Sequence, residues 1–271
     1  MTTRIAIIGV TGRMGRAIVR AASESSDVKV VAGLASATSK EVGKDVGELA
    51  GIAARDVRVS SDLAAVLAAC DVAIDFSNAS ATAENVAACR AARKPLVIGT
   101  TGFSSDVEQQ INEAAREIPV LVAPNTSVGV TLLIELVRAA AKALPAAGFD
   151  IEINEAHHRQ KRDAPSGTAL ALGRAAAAGR GTDLAKVGVG ARTGDSPRKE
   201  GEIGFSVIRG GDIVGEHTVL FAGAGEVLSL GHRATDRSIF AQGAVRAAAW
   251  LAPRPTGRYA MRDVVGYKTE G

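Results

Sequence analysis

The first 123 residues alternate short apolar runs with segments of helical periodicity, and this alternation constrains the fold more than any other feature. The apolar runs are rich in β-branched residues, as buried parallel strands are. Strands that alternate with helices form a parallel sheet with right-handed crossovers, so we predict an α/β domain here. The predicted strands are 4–9, 28–34, 71–76, 95–99 and 119–123. The predicted helices are 16–25, 61–69, 79–92 and 105–116.

The pattern changes near residue 127, which we take as the domain boundary. Residues 179–200 are rich in Gly, Arg, Thr and Asp and are predicted to form a mobile loop. Glycine-rich turns separate the last three strand-like runs, which favours hairpins in an antiparallel or mixed sheet. The predicted helices are 128–144, 168–178 and 238–251. The predicted strands are 150–156, 205–210, 216–222 and 226–232.

Composition excludes several classes of function. The chain has 271 residues, of which 3% are aromatic, and a formal net charge of +3. We therefore expect no nucleic-acid partner and no membrane surface. No stretch approaches the roughly 20 apolar residues of a membrane span, and we expect no signal peptide. Cys70 and Cys89 form no CxxC pair, which is typical of a reducing compartment, so we predict a cytoplasmic protein.

The turn GVTGRMG at residues 9–15 lies between a predicted strand and a predicted helix. A glycine turn in this position places backbone amides and a helix N-terminus against a pyrophosphate, so we predict dinucleotide binding. In this interpretation Gly9 permits the tight turn, Gly12 lets the ligand approach the backbone, and Gly15 lets the helix pack closely on the strand. The spacing is GxxGxxG, and Thr11 stands where the second glycine of GxGxxG would be.

Both NADH and NADPH remain candidates. The second predicted strand is followed by Ala35 and Ser36, where an acidic residue for the ribose 2′-hydroxyl is usual. Nearby hydroxyls and the cations Lys40 and Arg13 suit a 2′-phosphate at least as well as a hydroxyl. Two further loops, GTTG at 99–102 and APNTSVG at 123–129, follow strands and are candidates for the nicotinamide site.

The stretch EAHHRQKRDAPSGT at 155–168 contains two of the four histidines. Histidine ordinarily titrates near neutrality, which makes His157 a candidate proton carrier, and we expect the neighbouring cations Arg159 and Arg162 to favour proton release from Lys161. The turn at 165–168 begins a helix whose amides, with the Thr168 hydroxyl, form a potential carboxylate site. We interpret the stretch as a proton-transfer site for a carboxylate-bearing substrate that is reduced by hydride. Which of His157 and Lys161 delivers the proton stays open.

The remaining histidines and the cysteines favour no other function. His217 and His232 lie in strand patterns and are interpreted as structural residues, and no set of residues has metal-ligand spacing, so we predict no metal. A semialdehyde dehydrogenase of the aspartate type would need a nucleophilic cysteine. A dinucleotide-binding redox sensor would have no use for Lys161 and the turn at 165–168.

The motifs together resemble the dihydrodipicolinate reductase family, over essentially the whole chain. The segments GVTGRMG, DVAIDFS, VIGTTGF, NTSVGV, EAHHRQKRDAPSGTAL and GDIVGEHTV occur in the order and spacing of that family. The resemblance implies a Rossmann-like dinucleotide-binding domain of residues 1–127 plus 238–271. It also implies an α+β substrate and oligomerisation domain, on a mixed sheet, of residues 128–237. It further implies a homotetramer that reduces a cyclic dicarboxylate with NADH or NADPH.

The resemblance also implies roles for individual residues. His157 matches the acid/base histidine and Lys161 the proton-donating lysine. The substrate-contacting positions are His158, Gly167 and Thr168. The cofactor-contacting positions are Gly9, Val10, Thr11, Gly12, Arg13, Met14, Gly99, Thr100, Thr101, Ala123, Pro124, Asn125 and Thr126.

Overall fold

The computed structural model describes residues 2–267, which form two compact units. The first unit contains the described residues up to Ser127 and those from Ser238 onward, and the second is Val128–Arg237. The strands are β1 (Thr3–Ile8), β2 (Val28–Leu34), β3 (Val59–Ser60), β4 (Val72–Asp75), β5 (Leu96–Ile98), β6 (Pro119–Val122), β7 (Phe149–His157), β8 (Gly188–Val189), β9 (Ile203–Arg209), β10 (Gly215–Gly223), β11 (Glu226–Ala234) and β12 (Gly257–Tyr259). The helices are α1 (Arg13–Ser23), α2 (Val46–Leu49), α3 (Leu63–Ala69), α4 (Thr82–Ala91), α5 (Ser105–Ala114), α6 (Val128–Ala143), α7 (Gly167–Gly179), α8 (Leu184–Val187), α9 (Ser238–Leu251) and α10 (Met261–Val264).

The first unit is built on a seven-stranded parallel sheet with the order β12-β6-β5-β4-β1-β2-β3. The chain starts in the middle and leaves toward one edge through β2 and β3, then toward the other through β4, β5 and β6. Because the strand order reverses between β1 and β4, the carboxyl ends of these two strands form a topological switch point, where ligands bind in sheets of this kind. The predicted α/β fold class of this unit is confirmed.

The last part of the chain adds to this first unit. Helix α9 packs on α1 and on strands β4, β5 and β6. Strand β12 then pairs in parallel with β6, with Tyr259 opposite Leu121. Helix α9 has seven buried residues, mostly alanines, whose small side chains let it lie close to the sheet.

The second unit is a mixed five-stranded sheet with the order β11-β10-β7-β9-β8, as a mixed sheet was predicted. Helices α6 and α7 cover one face, where Ile151 and Ile153 of β7 pack against Leu133 and Leu172. The expectation of successive hairpins holds only for β10 and β11. Strand β9 pairs in parallel with β7 instead, so β7 lies between β9 and β10. Strand β9 pairs with β7 over its whole length, from Ile203 to Arg209, and with β8 only at Ile203 and Gly204.

The prediction of a mobile loop over 179–200 was wrong in part. The segment contains α8 and β8, and Asp183 caps α8 by accepting a hydrogen bond from the amide of Ala185. Beyond β8, the guanidinium groups of Arg192 and Arg198 both pair with Glu152 of β7. These ion pairs hold the segment on the sheet, which residue composition alone does not reveal.

Among residues 2–267, none of the helices is both long enough and apolar enough to cross a membrane.

Candidate functional site

The carboxyl ends of the parallel strands in the first unit bring the predicted cofactor residues to one edge of the sheet. The turn after β1 carries Gly9 to Gly12, the segment after β5 carries Gly99 to Thr101, and the segment after β6 carries Ala123 to Thr126. Parallel strands end at the same edge, so these three segments share one side of the unit. Some side chains in these three segments are buried and others are exposed. Val10, for example, is buried in the core and offers only its backbone to a ligand.

The glycine turn has the geometry of a phosphate cradle. Gly9 has a φ of +82°, and a Cβ there would lie 2.6 Å from the carbonyl oxygen of Phe76. At Gly15 a Cβ would lie 2.3 Å from the carbonyl oxygen of Gly9, so only glycine lets α1 start this close to the turn. Gly12 is the N-cap of α1 and supplies no side-chain oxygen, which leaves the first amides of an 11-residue helix available to an anion. These features fit the pyrophosphate of a dinucleotide.

A buried carboxylate organises the middle of this edge. Asp75, at the end of β4, accepts hydrogen bonds from the amide and hydroxyl of Ser77, the Asn85 amide and the Thr100 hydroxyl. These bonds tie the segment after β5 to the segment after β4. Gly99 adds a close contact, since a Cβ there would overlap the ring of Phe76. The side chain of Thr100 is therefore structural, and Thr101 is the exposed residue of the pair.

The segment after β6 is anchored by α9. The Thr126 hydroxyl donates a hydrogen bond of 2.6 Å to the carbonyl of Phe240. Gly243 of α9 is in close contact with this segment: a Cβ at Gly243 would be 1.8 Å from the carbonyl oxygen of Thr126. Thr126 is buried while Pro124 is exposed, so the anchored hydroxyl is not available to a ligand.

A polar cluster occupies the carboxyl end of β7 in the second unit. Residues 151 and 153 of β7 face the helices, and the same alternation places Glu155 and His157 on that face. Strand register adds Arg209 of β9, which is opposite His157, and His217 of β10, which is opposite Glu155. The face of the sheet that is apolar at residues 151 and 153 therefore carries ionisable side chains at the carboxyl end of β7.

Glu155 is the centre of the cluster. Its side chain is fully buried, and its Oε2 lies 2.5 Å from the His157 Nδ1. Arg209 donates to both carboxylate oxygens, at 2.9 and 2.7 Å, and the amide of Ser166 donates to Oε1 at 2.9 Å. The Ser166 hydroxyl in turn lies 3.1 Å from His217 Nε2 and caps α7 by accepting from the amide of Ala169.

These surroundings set the charge of the cluster. Burial alone would raise the pKa of Glu155, but the bonds from Arg209, His157 and the Ser166 amide outweigh it and lower that pKa. Burial lowers the pKa of His157, and the bond to Glu155 opposes this shift without reversing it. Burial also lowers the pKa of His217, to about 4. At neutral pH the cluster therefore consists of an ionised Glu155, an ionised Arg209 and two neutral histidines.

Lys161 lies in the loop that follows β7, and its amide donates to the carbonyl of His158. Its positive charge contributes to the lowered pKa of His157. Lys161 also has an anionic neighbour that the sequence analysis did not include. Its ammonium pairs with Asp163, at 2.9 Å, while Arg159 and Arg162 are exposed.

The three predicted substrate-contacting residues lie close to this cluster along the chain. Gly167 and Thr168 begin α7, directly after Ser166, and Gly167 is exposed while Thr168 is half-buried. His158 is half-buried, and its Nδ1 is enclosed without a hydrogen-bond partner in the described part of the chain. Asp163 interacts with both the Lys161 ammonium and the backbone amide of Gly167 at the start of α7, and a helix N-terminus with a cation is also a set of groups that binds a substrate carboxylate.

Glu155, His157 and His217 each place one potential ligand atom within 4.8 Å of the others, which is the spacing of a metal site. Both oxygens of Glu155 and the Nδ1 of His157 are already engaged, however, and the Arg209 guanidinium lies against the carboxylate. A cation beside a guanidinium is repelled, so this set fits a hydrogen-bonded cluster better than a metal centre.

Sequence reasoning missed Glu155, Ser166 and Arg209, and it treated His217 as a strand residue without a role in the site. Glu155 could have been found, because it is two residues before His157 in an alternating strand and must share its face. Arg209 and His217 are 54 and 51 residues from their partners Glu155 and Ser166, and no local pattern marks them.

Neither cysteine fits a catalytic nucleophile. Cys70 and Cys89 are buried free thiols, and burial raises the pKa of both. A thiol with a raised pKa is a poor nucleophile, which argues against a semialdehyde dehydrogenase that acts through cysteine.

A switch-point sheet with a phosphate cradle, combined in one chain with a buried cluster of Glu155, Arg209 and two histidines, is the arrangement expected of an oxidoreductase that uses a nicotinamide cofactor. Sequence models of the dihydrodipicolinate reductase N-terminus and C-terminus match residues 3–126 and 129–265. The chain belongs to the dihydrodipicolinate reductase family.

Relatives and solved structures agree with this assignment. The chain is 52% identical to a 4-hydroxy-tetrahydrodipicolinate reductase from Alkalilimnicola ehrlichii, over 98% of this chain and 100% of that one. It is 48% identical to the enzyme of the same name from Chromohalobacter salexigens, over 98% and 99%. A dipicolinate-bound dihydrodipicolinate reductase from Paenisporosarcina sp. TG-14 superposes with a TM-score of 0.77 at 27% identity, covering 96% and 98% of the two chains. An amine dehydrogenase from Mycobacterium smegmatis shares the fold alone, with a TM-score of 0.61 at 15% identity.

Proposed function

We propose that the protein is a 4-hydroxy-tetrahydrodipicolinate reductase of lysine and diaminopimelate biosynthesis. It reduces a cyclic dicarboxylate to tetrahydrodipicolinate, using NADH or NADPH, with loss of water. The observation that carries the proposal is the Glu155–His157 pair, with the charge of Lys161 acting on the same ring, in a chain that the family models match over residues 3–126 and 129–265. The dipicolinate bound to the Paenisporosarcina relative supports a cyclic dicarboxylate as the substrate class.

We infer the role of each part from its chemistry. Gly9–Met14, Gly99–Thr101 and Ala123–Thr126 hold the dinucleotide, which supplies the hydride when bound. The amides of Gly167 and Thr168, with His158 and the Lys161 ammonium, attract the substrate carboxylates. Fixed cations and amides lower the barrier because they are already oriented toward the negative charge that develops. His157 and Lys161 exchange protons with the substrate as the hydride arrives and the hydroxyl leaves.

We infer that NADPH is accepted at least as well as NADH. Strand β2 ends at Leu34, and the next two residues are Ala35 and Ser36, so no carboxylate stands there to repel a 2′-phosphate. The hydroxyls of Ser36 and Thr38 lie 2.9 Å apart and are exposed, and Lys40 adds a positive charge nearby in sequence. A 2′-phosphate would find donors in this loop, and the position directly after β2 carries no carboxylate.

We also infer a homotetramer built through the sheet of the second unit, in the cytoplasm. Ile208 of β9 and Val227 of β11 lie on the face of the sheet opposite the helices, and both are highly exposed for large apolar residues, at 57% and 59%. A covering subunit would remove them from water. The two buried free thiols fit a reducing compartment.

The test is the loss of reduced-nicotinamide absorbance, with the unstable substrate generated in the cuvette by the synthase that condenses pyruvate with aspartate semialdehyde. NADH and NADPH are run side by side. Turnover that requires the synthase would support the reductase. Absence of turnover with either cofactor, when cofactor binding is demonstrated separately, would overturn it.

The assigned proton carriers are tested by His157→Ala and Lys161→Ala. We expect kcat to fall by roughly 10²–10⁴-fold in each, with cofactor binding unchanged, because each variant removes a proton-transfer group. Near-normal kcat in His157→Ala would contradict its role.

A further inference from the structure

The cluster at the end of β7 contains a buried carboxylate, Glu155, in addition to the candidate proton carriers. Glu155 is fully buried, and each of its oxygens accepts two hydrogen bonds. A buried carboxylate in this state is costly unless every partner is in place. Its partners come from three separate elements, namely β7, β9 and the N-terminus of α7.

The backbone around His157 is held as firmly as its ring. The amide of Gly210 donates to the carbonyl of His157 at 3.0 Å, and the amide of Arg159 donates to the carbonyl of Gly211 at 3.1 Å. The loop from β9 to β10 thus crosses the carboxyl end of β7 and binds it on both sides of His157. With the backbone fixed and Nδ1 bonded to Glu155, the imidazole has one orientation.

We propose that Glu155 is the positioning residue of His157: it accepts the Nδ1 proton, fixes the tautomer, and leaves Nε2 as the nitrogen that exchanges a proton with the substrate. This inference rests on the proposed reductase reaction and deepens it. Arg209 and the Ser166 amide keep the Glu155 carboxylate ionised and aimed at the ring. The carboxylate itself takes no proton from the substrate.

The groups that face His157 are Glu155 on its own strand, Arg209 on β9, His217 on β10 and Lys161 in the loop. Among these, Glu155 is the anion that favours the imidazolium, while Arg209 and Lys161 disfavour it. At neutral pH the ring is neutral, with the lone pair on Nε2. Loss of Glu155 would remove the group that supports the charged ring, so the pKa of His157 would fall further.

A neutral Nε2 defines a balanced sequence of proton transfers. In the substrate ring, C4 carries the hydroxyl, and one carbon separates C4 from the carbon of the C=N bond. Nε2 takes a proton from that intervening carbon as the bond between C4 and the hydroxyl breaks. The leaving hydroxyl takes its own proton from Lys161 and departs as water. Hydride then adds to C4, the electron pair moves to the neighbouring carbon, and the imidazolium returns its proton there. The net change is one hydride and one proton gained and one water lost.

The first test needs no variant and no turnover. Imidazole nitrogens of the unliganded protein are assigned by ¹⁵N NMR near pH 7.5. We expect His157 to carry its proton on Nδ1. A proton on Nε2 would overturn the proposal, whatever the enzyme is found to catalyse.

The second test compares Glu155→Gln with Glu135→Gln. Glu135 is a matched control, since it is a buried carboxylate of the same unit, on α6, paired with Arg138 at 3.4 Å. In Glu155→Gln we expect kcat to fall by about 10–100-fold, with the limb of the pH–rate profile that reports His157 moved to lower pH. KM should change by less than about threefold, because Glu155 does not touch the substrate and contributes little to its binding. The control should keep kcat and profile.

An unchanged kcat and pH profile in Glu155→Gln would overturn the proposal. So would a loss of kcat that the control shares, because that would reflect general damage to the unit. Where Glu155→Gln does not fold, Glu155→Asp retains the charge at a shorter reach, and the tautomer measurement on the unaltered protein still decides. Failure of the reductase reaction in the unaltered protein would remove the proposed function but leave the tautomer result intact.

Discussion

The clearest quantitative consequence of the structure is a loss of stability in mild acid through His217. Its ring is buried against His157, with centroids 5.1 Å apart, and its Nε2 is engaged by Ser166. Burial lowers the pKa of His217 to about 4, against an ordinary value of 6.5. The unfolded chain therefore binds a proton between these two values where the folded chain does not, so stability falls as the pH falls.

The size of the effect follows from this difference. Each pKa unit corresponds to 1.36 kcal/mol, so the stability that His217 contributes is fully present above pH 6.5 and about 3 kcal/mol of it is lost by pH 4. Between pH 7 and pH 5 the loss is about 2 kcal/mol, which is a large share of a typical total of 5–15 kcal/mol.

The assay compares the unaltered protein with His217→Gln, which is neutral at both pH values and keeps a polar group facing Ser166. Chemical unfolding is followed by far-UV circular dichroism at pH 7 and pH 5, because Trp250 lies in the other unit and would not report this one. The variant should be less stable at pH 7 but should lose about 2 kcal/mol less on acidification. Equal acid sensitivity of the two proteins, or an NMR titration that places the pKa of His217 near 6.5, would refute the reasoning.

Two further predictions concern the first unit. Gly15→Ala places a Cβ 2.3 Å from the carbonyl oxygen of Gly9, so the start of α1 must move. We expect NADPH to bind at least about tenfold more weakly by calorimetry, which is on the order of the 1–3 kcal/mol that backbone strain costs. An unchanged Kd would contradict phosphate binding by this turn. Ser36→Glu introduces an anion at the end of β2, and we expect kcat/KM to fall about tenfold or more with NADPH while the value with NADH is kept, because like charges disfavour the 2′-phosphate. Equal losses of kcat/KM with both cofactors would contradict a contact between Ser36 and the 2′-phosphate.

The first unit was largely predictable because its signals are local. Strands β1, β2, β4, β5 and β6 appear within one or two residues of the predicted bounds, since each is a continuous apolar run bounded by polar or glycine residues. The short elements β3, α2, β12 and α10 were not predicted. Each has only two to four residues, which is too few to show a period, and tertiary contacts stabilise them.

The second unit was less predictable because its sheet depends on pairing between distant strands. Alternation in β9, β10 and β11 shows which face of each strand is buried, but it carries no information about which strand is the neighbour. The glycine-rich turn between β9 and β10 favoured a hairpin, whereas the structure inserts β7 between them. The same rearrangement places Arg209 beside His157.

By itself the sequence predicted the two-unit α/β and mixed-sheet organisation and the glycine turn at Gly9–Gly15, and it singled out His157 and Lys161 as candidate proton carriers. These depend on residue periods and on backbone limits that act over a few residues. Only the tertiary structure decided that Glu155 is buried under Arg209, Ser166 and His157, and that His217 lies against the same ring. The reason is physical: the charge state of a histidine is set by burial and by partners, and those arrive from strands that are distant in the chain.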